Sequence, residues 1–264
     1  MDEINDKLPL LFKCFRDSLI GKNTRGIIHN INSPLQVLSM QIELLRMDYL
    51  NLKEEIMNHG AEVLNKDSLD KLSMLMEKSE GRLLQVEEVL QRINALIAVI
   101  AARVSETDET GGAPVMLNQL LEEQVEFWKS DLFFKHKVSL SFKLSELSPV
   151  IVIREDILRD VIDGILFGCL EQIREQAVPQ IEIECCPGNG KTGEHIVLFS
   201  HNGSPFPVAD IKKLIRRFLE KGGDDFTIFD KTSQGYFSLL IAYVSGKTIG
   251  CSIVIEEQKI TLNL

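Results

Sequence analysis

Two hydrophobic periods divide the chain. Ile28, Ile31, Leu35, Leu38, Ile42, Leu45, Tyr49, Leu52 and Ile56 follow one another at alternating spacings of three and four. That is the a/d repeat of a helix built to bury a narrow seam. Leu69, Leu72, Met76, Ser79, Leu83, Val86, Leu90, Ile93, Ile97, Ile100 and Val104 repeat it, with Ser79 the one polar position. Between the runs, "NHGAEVLNK" (58–66) contains Gly60 as a breaker. The pattern predicts an antiparallel helical hairpin, whose first helix, Thr24 to Ile56, would be about 50 Å long. A single hairpin gives each seam one partner helix. A second copy supplies two more and completes a four-helix bundle, so the seams predict a homodimer. The simpler alternative is a monomeric hairpin packed on the second half of the chain.

"SETDETGGAP" (105–114) reads as a linker, and after it the period changes. Val115 to Lys129 reads as helix, "KVSLSFKL" (137–144) and "PVIVI" (149–153) as strands, and Asp156 to Glu175 as helix. "QIEIEC" (180–185) and "HIVLFSH" (195–201) alternate as strands do. Residues 208–220 and 233–246 read as helices, and "CSIVIEE" with "KITLNL" as a closing hairpin. The expectation is two domains. Residues 1–106 form an all-α helical hairpin that dimerises into a four-helix bundle, and 115–264 an α+β sandwich.

Charge narrows the partners. The formal net charge is -10 and the pI about 5.1, which leaves no large basic face for nucleic acid or an anionic membrane. "DIKKLIRRF" (210–218) reads as a solvated helix face that could meet an acidic partner. The five cysteines show neither metal-ligand spacing nor a complete disulfide framework, and no metal site is expected. A reducing, cytoplasmic setting fits them. No apolar run reaches the roughly 20 residues a membrane span needs, and Asp2, Glu3 and Asp6 are unlike a signal peptide.

The candidate chemistry sits in "GIIHNINSPLQVLSM" (26–40). His29 falls beside seam position Ile28, hence on the flank of the bundle. Asn32 and Ser33, three and four residues on, share its face. Pro34 has no N–H, so the helix should bend there and free the carbonyl of Asn30. Folding the hairpin about residue 62 sets His29 level with Ala95.

"HNINSPL" resembles the H-box of bacterial sensor histidine kinases, and a helical hairpin followed by an α/β sandwich resembles their domain order. In that family the sandwich is an ATP-binding domain of the gyrase/Hsp90/kinase type. "VMLNQLLEEQVEFW", "KVSLSFKL" and "REDILRDVIDGIL" fall where its first helix, its hairpin and its N-box helix would lie. The resemblance makes His29 the phosphorylated residue. It spans residues 20 to 264 and departs from the family pattern at several points. Asn30 stands where the acid that acts as general base is expected, and Ser33 where Asn or Thr is. Gly164 and Gly168 replace the two N-box asparagines that hold Mg²⁺ and phosphate. His201 replaces the aspartate that contacts adenine; Gly203 remains, but Pro205 replaces the second glycine. The glycine-rich lid motif is reduced to "SQGYFSLL", with Gly235 alone. No ATP and no other cofactor is therefore expected.

Three functions follow from the resemblance. The first is a phosphorelay histidine phosphotransferase, in which His29 takes a phosphoryl group from one response-regulator receiver domain and passes it to another. Asn32 and Ser33 would orient it, and the receiver would bring its own Mg²⁺ and lysine. The second is a divergent ATP-dependent histidine kinase lacking its own sensor domain, with acids on the N-box helix (Asp160, Asp163, Glu171) standing in as Mg²⁺ ligands. The third is a non-catalytic dimeric scaffold that regulates response regulators.

Overall fold

The computed structural model describes residues 2–59, 66–104, 111–146, 148–188, 194–221 and 234–264. The expected hairpin turn at Gly60, most of the linker (105–110) and the segment before Gln234 lie outside these.

The elements run α1 (Asp2–His59), α2 (Lys66–Val104), β1 (Ala113–Met116), α3 (Leu117–Trp128), α4 (Leu132–Lys137), β2 (Ser139–Lys143), β3 (Val150–Ile153), α5 (Glu155–Ile173), β4 (Gln180–Pro187), β5 (His195–His201), α6 (Val208–Lys221), α7 (Gln234–Thr248), β6 (Ser252–Ile255) and β7 (Lys259–Asn263). The chain divides into two compact units, but not at the expected boundary. One holds residues 27–101; the other joins residues 1–26 to 102–264. The first stretch of α1 thus belongs with the sandwich.

In the sandwich unit a five-stranded sheet has the order β2-β4-β5-β7-β6. Ile181, Ile183, Val197, Phe199, Ile260 and Leu262 are buried, while the alternate positions are half-buried or exposed. Period-two alternation therefore turns one apolar face of the sheet inward. Most of α5, from Ile157 to Leu170, is buried. α7 packs along α5, and Leu239, Leu240, Ile241 and Ala242 are fully buried.

Several sequence expectations need correction. Residues 113–116, expected as the end of the linker and the first two residues of a helix, are a strand: β1 pairs antiparallel with β3 in a separate two-stranded sheet. Strands form at 139–143 and 150–153 as expected, but "KVSLSFKL", which the resemblance matched to a hairpin, gives the single strand β2, paired parallel with β4. The short helix α4 was not foreseen. The segments expected as strands at 180–185 and 195–201 and the closing hairpin are present.

In the hairpin unit, Asp48 on α1 and Arg82 on α2 form an ion pair at 2.5 Å. That pairing matches positions summing to 130, which sets the level of His29 toward Ala101 instead of Ala95.

Candidate functional site

In the hairpin unit α1 runs through Pro34 without losing helical structure. His29, Asn32 and Ser33 are exposed, Asn30 is half-buried and Pro34 is buried. The imidazole, an amide and a hydroxyl thus stand on one solvent-facing patch of a continuous helix.

The two seams separate by exposure. Ile31, Leu38, Leu45 and Leu52 on α1, and Leu72, Val86, Ile93 and Ile100 on α2, are half-buried or buried. Their counterparts stay open, each seven residues from the next. On α1 these are Ile28, Leu35, Ile42, Tyr49 and Ile56, 40–62% exposed; on α2 they are Leu69, Met76, Leu83, Leu90 and Ile97, 43–65% exposed. Each helix therefore keeps a second apolar stripe that the hairpin does not cover.

In the sandwich unit, α5 carries the positions matched to metal and phosphate ligands. A Cβ at Gly164 would lie 2.5 Å from the Ser238 carbonyl oxygen and 2.9 Å from Ala242 Cβ. At Gly168 it would lie 2.7 Å from Leu239 Cγ and Cδ2. Both glycines face α7 and let the two helices approach. A Cβ at Gly235 would lie 2.9 Å from Glu171 Cβ, and one at Gly203 2.3 Å from the Gln172 carbonyl oxygen. At each of these positions an added Cβ would come within 3.0 Å of a neighbour, a backbone oxygen at Gly164 and Gly203 and a side chain at Gly168 and Gly235.

The acids of α5 already have partners. Arg16, from the start of α1, donates from Nε and a terminal nitrogen to the two oxygens of Asp160, both at 2.7 Å. Asp160 is 1% exposed, and burial, which outweighs the guanidinium, pushes its carboxyl up to about 7. Asp163 accepts a bond from Trp128 Nε1 at 2.8 Å. Glu171 accepts one from Arg174 at 2.6 Å and has Lys22 Nζ at 3.8 Å. That ammonium also stands 3.8 Å over the Phe167 ring, and burial lowers its pKa. Among the described residues no cluster of three or more acids, histidines or cysteines is placed to hold a metal.

His201, at the adenine-contact position, is 6% exposed. Its Nδ1 accepts the Gly203 N–H at 3.1 Å, which places the proton of a neutral ring on Nε2. Nε2 is buried with no hydrogen-bond partner among the described residues. Burial lowers the pKa to about 4, so the ring is neutral at pH 7.

Arg16, Lys22 and Trp128 were not among the sequence candidates. Phe12, Phe15 and Leu19, spaced three and four apart, run into Asn23 and Gly26 at helical spacing, and that stripe was legible. Its destination on a helix more than a hundred residues away was not.

No family model matches the chain, and no curated protein does. Solved structures similar to it include histidine kinases. The catalytic domain of the histidine kinase ThkA is 14% identical, with a TM-score of 0.43, over 58% of this chain and 95% of that one. The mycobacterial sensor histidine kinase MprB is 10% identical, with a TM-score of 0.45, over 58% and 96%. The Acinetobacter baumannii histidine kinase AdeS is 10% identical, with a TM-score of 0.41, over 89% and 96%. No described helix is long and apolar enough to cross a membrane.

Proposed function

We propose that the chain is a homodimeric, histidine-kinase-like phosphotransferase of a two-component relay. His29 accepts a phosphoryl group from the aspartyl phosphate of a receiver domain and donates it to another receiver, without using ATP. One contrast carries the reading. The H-box face of α1 presents His29, Asn32 and Ser33 to solvent. Meanwhile the matched N-box positions are glycines pressed against α7, and the acids beside them are engaged by Arg16, Trp128, Lys22 and Arg174. Surroundings of this kind suit a helix kept for packing better than one kept for Mg²⁺ and triphosphate.

In the forward step a neutral imidazole nitrogen attacks phosphorus. The N–P bond forms, the acyl P–O bond breaks, the receiver's aspartate leaves as carboxylate, and the ring proton passes to solvent. The reverse step loads the second receiver. Catalysis rests on holding the reactants in line. Asn32 and Ser33 orient the ring or a phosphoryl oxygen. The uncovered heptad stripes support the second copy, since four such helices bury all of them.

The test mixes the protein with a panel of radiolabelled phospho-receivers, and separately with labelled ATP, using wild type and His29→Ala. Label on wild type from receivers and not from ATP supports the proposal. Label from ATP makes the chain a kinase. Receiver binding with no label on His29 makes it a scaffold.

A further inference from the structure

We infer that residues 12–26 of α1 form a latch that docks reversibly on the sandwich unit, with α5 as its seat. Among residues 12–26 the buried positions, Phe12, Phe15, Leu19, Asn23 and Gly26, fall on one helical stripe. Phe12, Phe15 and Leu19 are 4–6% exposed. Between them Arg16 reaches Asp160 with both oxygens engaged and Asp156 at 3.7 Å. One turn past Leu19, Lys22 caps Phe167 and approaches Glu171. At the end of the stripe the backbone of Gly26 meets the Ser130 carbonyl so closely that a Cβ there would collide with it. The contact therefore has a single register.

What marks it as reversible is what it buries. Asn23 is 1% exposed, and neither its amide nitrogen nor its amide oxygen has a hydrogen-bond partner among the described residues. A buried amide left unpaired opposes closure. A buried ion pair adds little over apolar packing but is costly to break on one side only, so it fixes the seat more than it deepens it. The aromatic stripe favours closure and the amide opposes it.

Opening would uncover a face of α5 bearing Asp156, Asp160 and Glu171. Closing holds the turn of α1 that ends three residues before His29, along one unbroken helix. The latch does not depend on the phosphotransferase reading.

Hydrogen–deuterium exchange of the full-length chain tests it, comparing amides of residues 12–26 with those of residues 157–170. In wild type the latch should exchange about tenfold faster than α5 or more, as for a sub-global opening. Gly26→Val should speed the latch by about tenfold again and leave α5 unchanged, and Asn23→Leu should slow it. Latch and α5 exchanging together in wild type would show one cooperative core and overturn the proposal. So would a Gly26→Val chain in which both accelerate equally, or an Asn23→Leu chain whose latch opens faster.

Discussion

Replacing Gly164 with alanine tests whether α5 and α7 are locked by close approach. Alanine is favoured over glycine inside a helix by about 1 kcal/mol, so an unconstrained site gains stability. At 164 the added methyl would sit 2.5 Å from a backbone oxygen and 2.9 Å from another Cβ. Ordinary contact begins near 3.4 Å, so α7 would have to retreat by about 1 Å along a seam of fully buried residues, since such cores are close-packed. Overpacking of this kind costs about 1–3 kcal/mol. Net of the propensity gain, Gly164→Ala should destabilise by up to about 2 kcal/mol, lowering the melting temperature by up to about 8 °C at the usual 2–4 °C per kcal/mol for a unit of this size. At Gly168 the obstacle is the Leu239 side chain, which can rotate, so the loss should be smaller. Gly21 belongs to the same unit, lies in a helix and has nothing within 4 Å of its Cβ position. Gly21→Ala should therefore stabilise. Chemical denaturation of the three variants, read at α5 and α7 by exchange, gives the order directly. A Gly164→Ala chain as stable as Gly21→Ala would refute the close-approach account and reopen the possibility that the site has room for a ligand.

Asp160 is held above its ordinary pKa, so the folded state keeps a proton that the unfolded chain has released between about pH 4 and 7. Its contribution to stability is present at low pH and lost as pH rises through about 7. Urea midpoints of wild type and Asp160→Asn should accordingly diverge most above neutrality and converge in acid; parallel curves would contradict the burial argument. His201 has the opposite sign: its pKa is depressed from 6.5 to about 4, so stability is lost as pH falls through that interval. His201→Phe should remove that part of the acid loss in the same titration. Ile42→Lys with Leu83→Lys should convert a dimer to a monomer by analytical ultracentrifugation while helical circular dichroism is kept. Each side chain is worth roughly 1.5–3 kcal/mol when buried, and a wild-type chain that sediments as a monomer would remove the dimer from the proposal.

The sequence made the parts with strong periodicity legible. The heptads of α1 and α2, the alternation in β4 and β5 and the final hairpin need only local chemistry to recognise. β1 was misread because "APVM" runs into α3 with no polar cap: Met116 ends the strand and begins the helix without a side-chain hydrogen bond. The pairing of β2 was not legible, because its partner β4 lies beyond α5. For the site, the identity of Gly164 and Gly168 could be read, but that they receive α7 could not. Arg16 and Asp160 are 144 positions apart, and no local pattern joins them. Asp160 and Asp163 looked unoccupied because their partners, Arg16 and Trp128, arrive from elements distant in the chain, whereas the Arg174 that holds Glu171 lies only three residues on.

That α1 is shared between two units has a practical bearing on how the molecule is divided for study. Cutting at the apparent linker would not yield two intact pieces. A fragment beginning near residue 111 would forfeit Phe12, Phe15 and Leu19 and leave Asp160 without its guanidinium. Such a fragment should clump or bind its missing helix when that helix is added as a peptide.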